Sequence, residues 1–172
     1  MEIKSNELYF AKLNPKGVIP QKRNEDAGLD IFPCFEEDFI KILPHSTVMI
    51  PTGIASAFTD DYVAVLKERG STGTKGIAQR CGIIDSGFRA EWKVPVTNTT
   101  DKILIIAKNE SVRYSDFSIY SDSDLIIYPY TKAICQALIL PVPKMKIKQI
   151  HYEDLKTIAS ERGMGMLGSS GK

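Results

Sequence analysis

The amino-acid sequence predicts an all-β fold, which could be a sandwich, a barrel or a jelly roll. Short stretches alternate apolar and polar residues, as at Trp92, Val94 and Val96, and this is the period of a half-buried strand. Proline and glycine interrupt these stretches, for example at Pro51 and Gly53, as expected for turns between strands. No long stretch shows the 3.6-residue period of a helix. Many short strands separated by turns are typical of these three architectures.

The individual elements follow from the same patterns. Strands are predicted around residues 3–10, 63–66 and 92–96, where apolar side chains alternate. A further strand is predicted over residues 145–150, because apolar side chains there alternate with lysines that would form a solvated face. The best helix candidate is the short segment 151–160.

Composition excludes several classes of protein. The chain has 172 residues, 22 Lys and Arg, 21 Asp and Glu, and a net charge of +1, so we expect one domain and no direct binding of nucleic acid. The longest apolar runs, 103–107 and 137–140, are far shorter than the roughly 20 residues of a membrane span. The first residues carry Glu2 and Lys4 and no apolar run. We therefore expect no secretory signal, no membrane association and a cytoplasmic location.

The cysteines and histidines are too few and too scattered for common metal or disulfide frameworks. Cys34, Cys81 and Cys135 are odd in number and far apart, and the only histidines are His45 and His151. A disulfide framework, a structural zinc site and a His-rich metal centre are therefore not expected. Hydrolytic chemistry in this chain would depend on carboxylates and a bound metal ion.

Two segments differ from the rest of the chain. Residues 108–128 are polar and rich in Tyr, Ser and Asp, which indicates an inserted hairpin or a long loop. Residues 160–172 are rich in Gly and Ser and offer little apolar surface to offset the entropy of ordering. We therefore expect a single β domain over 1–159 and a mobile C-terminal arm over 160–172.

Two glycine-rich segments could bind phosphate. Residues 69–76 resemble a P-loop but lack its GxxxxGK[ST] pattern, and residues 163–168 match GxGxxG without the flanking strand and helix. Both still combine exposed backbone N–H groups and hydroxyls with Arg69 or Arg162, which suits oxyanions. The alternative for each segment is a turn with a solvated arginine.

A third segment, residues 82–91, leads from apolar residues into Asp85, then through a Ser-Gly turn to an aromatic residue. Together with the strand that begins near Trp92, this pattern predicts a β-hairpin. Asp85 is a candidate general base there. The alternative is an ordinary Asx-turn residue.

Five segments of the chain resemble, in order, the motifs of the trimeric dUTPase family. They are residues 27–31, 69–73, 82–91, 133–138 and 162–171. The resemblance implies a jelly-roll-like, distorted β-barrel, a homotrimer with active sites shared between subunits, and an arm that closes over a neighbour's site. It also implies Mg²⁺-dependent hydrolysis of dUTP to dUMP and pyrophosphate, which limits uracil in DNA and supplies dUMP for dTMP synthesis.

The resemblance implies roles for individual residues. Asp85 would orient and activate the attacking water and accept a hydrogen bond from the sugar 3′-OH. Asp30 would hold a Mg²⁺ ion through water, and Gln136 would contact phosphate oxygens or the attacking water. Backbone groups in the third motif would match the edge of uracil, and Phe88 would exclude a ribose 2′-OH. The residues implied to bind substrate are Arg69, Gly70, Ser71, Gln79, Gly82, Ile83, Ile84, Phe88, Lys93, Arg162, Leu167, Gly168, Ser169 and Ser170.

The sequence departs from the family pattern at several positions. Gly70 follows the arginine of the second motif where the family has serine, and Phe88 replaces tyrosine. Leu167 replaces the aromatic residue that would stack on the base, so we expect weaker closure over uracil. A dCTP deaminase, the nearest rival, would need a glutamate where Pro95 stands. A nucleotide-gated regulator is the other alternative, with residues 108–128 as a possible surface for a protein partner.

Overall fold

The computed structural model describes residues 2–109, 111 and 117–165. The chain divides into two compact units, one ending at Val142 and the other beginning at Pro143. Within the described ranges, no helix is both long enough and apolar enough to cross a membrane.

The first unit is built almost entirely of short strands, which confirms the predicted all-β class. In the part of this unit that the structure describes, the strands are β1 (Tyr9–Lys12), β2 (Leu29–Ile31), β3 (Phe39–Ile42), β4 (Thr47–Pro51), β5 (Ile54–Ala57), β6 (Tyr62–Lys67), β7 (Ile77–Gln79), β8 (Ile83–Ile84), β9 (Lys93–Asn98), β10 (Ile103–Ala107), β11 (Leu125–Pro129) and β12 (Cys135–Pro141). A one-turn helix α1 (Gly70–Gly73) and a 3₁₀ turn (Asp122–Asp124) interrupt them.

The strands form four small sheets. Their orders are β1-β5, β11-β10-β3, β2-β12-β6-β8 and β4-β9-β7. Neighbouring strands in these sheets run antiparallel, except that β10 and β11 are parallel. The predicted strands at 63–66 and 92–96 correspond to β6 and β9.

The described residues of this unit form two apolar clusters, and Trp92 belongs to the larger one. The Trp92 side chain is fully buried, and its ring meets that of Phe10 edge-on, with 5.3 Å between centroids. Its indole N–H donates to Ser56 Oγ at 3.1 Å, and Thr52 Oγ1 donates to its carbonyl at 2.5 Å. These bonds satisfy polar groups that would otherwise destabilise the core.

Strand β12 connects the core to the face that carries the polar motif residues. It lies between β2 and β6, and its register places Gln136 opposite Asp30 on β2 and Lys67 on β6. Cys135 and Ala137, on either side of Gln136, are fully buried. Because side chains alternate along a strand, Gln136 points away from the core.

The predicted β-hairpin around Asp85 is wrong in its pairing. The turn itself is present, since Phe88 N donates to Asp85 O at 3.0 Å. However, β8 before the turn pairs with β6, whereas β9 after it pairs with β4 and β7. Local alternation indicated two strands, but their partners come from distant parts of the chain.

Of the two alternatives predicted for segment 108–128, an inserted hairpin or a long loop, the described residues show no hairpin. It joins β10 to β11, which are parallel, and parallel strands require a crossover connection. Its last four residues belong to β11, where Leu125 and Tyr128 are buried. Phe117 is also buried and meets the ring of Phe39 edge-on at 5.1 Å. The polar composition concealed these apolar anchors.

The second unit contains the short helix α2 (Tyr152–Thr157), which confirms the helix candidate. The strand predicted over 145–150 is wrong, because residues 142–151 have no regular secondary structure. Met145 and Ile147 are 81% and 95% exposed. Pro143 has no N–H to donate to a ladder, and no sheet among the described residues includes this stretch.

Candidate functional site

A cleft of about 1320 Å³ opens in the first unit beside β2, β12 and α1. Residues from three of the five motifs line it, most of them polar. They are Asp30 from the first motif, Arg69, Gly70 and Ser71 from the second, and Gln136 from the fourth. The structure therefore brings together residues that are up to 106 positions apart, from 30 to 136.

Arg69 and Asp30 form a two-point ion pair in the cleft. Arg69 Nε lies 2.9 Å from Asp30 Oδ1, and Nη2 donates to Oδ2 at 3.2 Å. Both side chains are about one-third exposed, at 31% and 37%. The planar fork of arginine matches a carboxylate in this way, and the pair holds a positive group at the cleft surface.

Helix α1 positions the second motif. Thr72 is fully buried; its hydroxyl accepts a hydrogen bond from Arg69 N at 3.1 Å and donates one to Arg69 O at 3.0 Å. Ser71 is exposed, and Arg69 Nη1 approaches its hydroxyl at 3.4 Å. A Cβ added at Gly70 would meet no atom within 4 Å, so the backbone there is open to a ligand.

Gln136 is held between two segments. Its amide nitrogen donates to Glu68 O at 2.9 Å. On the other side Gly28 lies so close that an added Cβ would overlap Gln136 Oε1. The close approach of the two residues therefore requires glycine at position 28. This close approach also restricts the side-chain amide of Gln136 to one position.

Several cleft residues were not found from the sequence. The wall also carries the basic residues Lys12, Lys16, Lys22 and Arg23. The stretch 12–23 contains no acidic residue, and that charge bias was a signal that could have identified it. A concentration of positive charge in a cleft attracts anionic ligands.

Two of these basic residues are paired with carboxylates: Lys16 Nζ donates to Glu36 Oε2 at 2.6 Å, and Arg23 pairs with Asp26. Arg23 Nε and Nη2 donate to the two oxygens of Asp26 at 2.8 and 2.9 Å. The hydrogen bond from Arg23 holds the pKa of Asp26 below its usual value. The backbone N–H of Asp26 donates to Arg23 O at 3.1 Å, so the pair closes a turn just before the first motif.

Residues of the third motif lie around a separate, smaller cavity of about 430 Å³. Ile84, Phe88 and Lys93 line it, and Phe88 is 40% exposed. Asp85 is exposed at the preceding turn. Among the described residues of one chain, neither Asp85 nor Phe88 lines the larger cleft. The structure therefore does not gather all predicted site residues into one pocket of a single chain.

Contacts of Gln79 and Gly82 shape the segment before Asp85. The Gln79 amide nitrogen donates to Cys81 O at 2.9 Å and to Arg80 O. Gly82 O accepts from Leu66 N at 2.7 Å, and a Cβ on Gly82 would lie 2.6 Å from Leu66 O. Close contact with β6 therefore requires glycine, and the next residue, Ile83, is 62% exposed.

The predicted arm residues are only partly described. Arg162 is exposed, and its Nε donates to Gly165 O at 3.3 Å. Leu167, Gly168, Ser169 and Ser170 lie outside the described residues.

Metal-ligating clusters are absent from the part of the chain that the structure describes. It contains no group of three or more His, Cys, Asp or Glu side chains that could hold a metal ion. His45 contacts Asp101 at 2.9 Å, away from the residues that line the cleft, and the three cysteines form no disulfide. A divalent ion in the cleft would therefore be held by oxygen atoms of a bound small molecule and by water, together with Asp26 and Asp30.

Comparison with known proteins decides the family. The dUTPase family model matches residues 14–112, which is more than half of the chain. The chain belongs to the dUTPase family. This confirms the resemblance drawn from the five motifs.

Two curated relatives illustrate the extent of the similarity to other dUTPases. A deoxyuridine 5′-triphosphate nucleotidohydrolase from Hydrogenobaculum sp. (strain Y04AAS1) is 29% identical over 168 residues, covering 95% of this chain and 97% of the relative. A second one, from Neisseria meningitidis serogroup A, is 28% identical over 149 residues, covering 84% of this chain and 81% of the relative.

Solved dUTPase structures share the fold. The Staphylococcus bacteriophage 80alpha dUTPase with dUPNHPP matches with a TM-score of 0.73 and 21% identity, over 98% of this chain and all of that chain. A mutant dUTPase from phage phi11 of S. aureus, whose structure describes the coordination of a structural Mg(II) ion, matches with a TM-score of 0.64 and 20% identity, over 86% and 99%. The jelly-roll-like fold expected from the motifs is confirmed.

Proposed function

We propose that this chain hydrolyses dUTP to dUMP and pyrophosphate. The observation that carries the proposal is the cleft in which Arg69, Ser71, Gln136 and Asp30 meet, in a chain that belongs to the dUTPase family. Its donors and positive charge suit a triphosphate, and Asp30 supplies the acidic group. A general binder of polyanions would instead need a basic excess, whereas the net charge is +1.

The second and fourth motifs bind the phosphates in this proposal. Arg69 uses Nε and Nη2 on Asp30, which leaves its other N–H groups to donate to phosphate oxygens. The Ser71 hydroxyl and the backbone N–H of Gly70 add neutral donors. Such preorganised donors stabilise the negative charge that develops on phosphate oxygens during attack.

The hydrolysis itself requires an activated water. Asp85 accepts a proton from the water as the oxygen of the water bonds to the α-phosphorus. The bond from the α-phosphorus to the α–β bridging oxygen breaks, and pyrophosphate leaves. An ionised carboxylate is suited to this because it only accepts hydrogen bonds. Asp85 is exposed, so water reaches it.

The separation of Asp85 from the cleft supports a homotrimer with shared active sites. Within one chain, the phosphate-binding cleft and the cavity of Phe88 have different lining residues. In the proposed assembly the third motif of one subunit faces the cleft of the next. The 40% exposure of Phe88 and the 62% exposure of Ile83 are consistent with side chains that await a neighbour or a ligand.

The third motif selects the nucleotide. Backbone groups at Gly82, Ile83 and Ile84 pair with the edge of uracil, and Phe88 lies against the deoxyribose, where it leaves neither space nor a partner for a 2′-OH. Gln79 holds the turn beside these groups, and Lys93 lies on the rim of the same cavity.

Magnesium and the arm complete the proposed site. Mg²⁺ is commonly held by one or two carboxylates, substrate phosphates and water, and Asp30 would hold it here through water. When bound, Mg²⁺ supplies positive charge next to the phosphate oxygens. Arg162, Ser169 and Ser170 would cap the outer phosphates. Leu167 and Gly168 would cover the uracil base bound in a neighbouring subunit's site.

A nucleotide panel tests the proposed reaction. Purified protein with Mg²⁺ is given dUTP, dCTP, dTTP and UTP, and pyrophosphate and ammonia are measured. Pyrophosphate from dUTP alone supports the proposal, and an Asp85→Asn variant should lose most of this turnover. Ammonia from dCTP, or no product from dUTP, would reject it.

Mixing two inactive variants tests the shared sites. Asp85→Asn chains and Gln136→Ala chains are denatured together and refolded. If sites are shared between subunits, random assembly restores about one quarter of the sites, whereas each variant refolded alone stays inactive. No recovery from a mixture that assembles into oligomers would place each site within one chain.

A further inference from the structure

We propose that Lys22 binds the β- and γ-phosphates of the substrate, because it is a cation of the cleft whose ammonium group has no acidic partner among the described residues. The inference rests on the proposed function, since it assigns a further binding residue to the same site. Lys22 belongs to none of the five motifs. It precedes the first motif and lines the cleft together with Arg69 and Ser71.

The residues that line the cleft carry more positive than negative charge. Its basic residues are Lys12, Lys16, Lys22, Arg23 and Arg69, and its acidic residues are Asp26 and Asp30. The whole chain has a net charge of only +1, so the cleft is more basic than the chain as a whole. A concentration of positive charge in a cleft attracts anions.

Three of these five cations are already held by carboxylates. The pairs are Arg69 with Asp30, Lys16 with Glu36, and Arg23 with Asp26, at N–O distances of 2.6–2.9 Å. In the part of the chain that the structure describes, Lys22 Nζ instead donates only to carbonyl oxygens, those of Arg23 at 3.3 Å and Asn24 at 3.5 Å. Hydrogen bonds of this length are weak, so the ammonium group can exchange them for phosphate oxygens.

Backbone contacts hold the Lys22 segment beside the first motif. Asp30 N donates to Gln21 O at 3.1 Å, and Asp26 N donates to Arg23 O at 3.1 Å. Lys22 therefore lies between two residues whose carbonyl groups are fixed, while its own side chain is exposed. Since Asp30 belongs to the phosphate-binding part of the proposed site, Lys22 lies next to the place where the phosphates bind.

The chemistry of lysine suits the leaving group. Hydrolysis at the α-phosphorus releases pyrophosphate, whose negative charge increases as the bond to the bridging oxygen breaks. The ammonium group is a compact charge with three donors on a flexible stem, so it can follow the β- and γ-phosphates as they leave. Arg69 is instead fixed along one edge by Asp30.

The first experiment compares Lys22→Met with Lys41→Met. Lys41 is the matched control, because it is an exposed lysine on β3 that lines neither the cleft nor the smaller cavity. For Lys22→Met we expect KM for dUTP and the inhibition constant of pyrophosphate to rise about tenfold. Inhibition by dUMP, which lacks the β- and γ-phosphates, and every constant of Lys41→Met should stay as in the wild type.

Lys12→Met separates a direct contact from the general field of the cleft. Lys12 lines the same cleft, and among the described residues its Nζ donates only to Pro15 O, at 3.4 Å. Its replacement removes the same charge as Lys22→Met. A smaller rise in the two constants than for Lys22→Met supports the inference, whereas an equal rise would show a general attraction of anions and overturn it.

The outcomes also separate this inference from the proposed function. A wild-type protein that does not hydrolyse dUTP rejects the function. An active wild type whose Lys22→Met variant keeps its KM for dUTP and its inhibition constant for pyrophosphate overturns the inference alone.

A second measurement needs neither a variant nor turnover. Wild-type protein is treated with a limiting amount of an acetylating reagent, with and without saturating pyrophosphate, and the labelling rate of each lysine is measured by mass spectrometry of peptides. Pyrophosphate should slow the labelling of Lys22 several-fold and leave that of Lys41 unchanged. An unchanged rate at Lys22, or equal protection of both lysines, would contradict binding at Lys22.

Discussion

Asp30 and Gln136 lie directly opposite each other on the antiparallel strands β2 and β12. Each is held from a different direction: Asp30 by the Arg69 guanidinium and Gln136 by Glu68 O. Because Glu68 and Arg69 are adjacent, one short segment fixes both polar groups of the paired strands. The acid, the amide and the cation of the cleft therefore form one connected unit.

We expect Arg69→Lys to lower kcat/KM for dUTP by about 10- to 100-fold, because lysine keeps the charge but not the fork that binds Asp30 at two points. Steady-state kinetics with Mg²⁺ checks this. Arg80→Lys is the matched control, since Arg80 is exposed and does not line the cleft. Equal activity of Arg69→Lys and the wild type would contradict a role for the two-point contact.

Gly28→Ala should displace Gln136, because the new Cβ would overlap its side-chain oxygen. We expect kcat/KM to fall about 100-fold and the free energy of unfolding to fall by about 1–3 kcal/mol. Kinetics and urea denaturation measure the two effects. At Gly73 an added Cβ would meet only Glu68 Cβ, at 3.7 Å, so Gly73→Ala should change neither kcat/KM nor the free energy of unfolding. If Gly73→Ala had the same effects as Gly28→Ala, the close approach of Gly28 to Gln136 would not be their cause.

Phe88→Ala tests the exclusion of ribonucleotides. We expect the preference for dUTP over UTP, measured as the ratio of kcat/KM values, to fall about tenfold or more. Stability should change little, because Phe88 is 40% exposed. An unchanged ratio would mean that another group rejects the 2′-OH.

The three thiols should differ in reactivity. Cys81 is exposed, whereas Cys34 and Cys135 are buried, and burial raises the pKa of both buried thiols. Since the thiolate is the reactive form, DTNB should label one thiol per folded chain rapidly and all three after unfolding. Cys81→Ser should abolish the rapid phase; a rapid phase that survives it would show that a buried thiol is accessible.

The sequence was sufficient for strands whose apolar residues recur at alternate positions. The period of Val94 and Val96 alone predicted β9, although the intervening Pro95 and Thr97 are buried as well. It failed at 145–150, where the same alternation exists but the apolar side chains Met145 and Ile147 are exposed. Alternation describes one strand, whereas a sheet also requires a partner for its backbone groups.

The sequence by itself determined the chemical groups: the ordered motifs contain Asp30, Arg69, Asp85 and Gln136 as an acid, a cation, a candidate base and an amide. The tertiary structure decided which of them meet. It brought Asp30, Arg69 and Gln136 to one cleft and left Asp85 outside that cleft. The physical reason is that residue types and local spacing can be taken directly from neighbouring positions in the sequence. Strand pairing instead depends on contacts between distant segments, and these contacts form only when the whole core is packed.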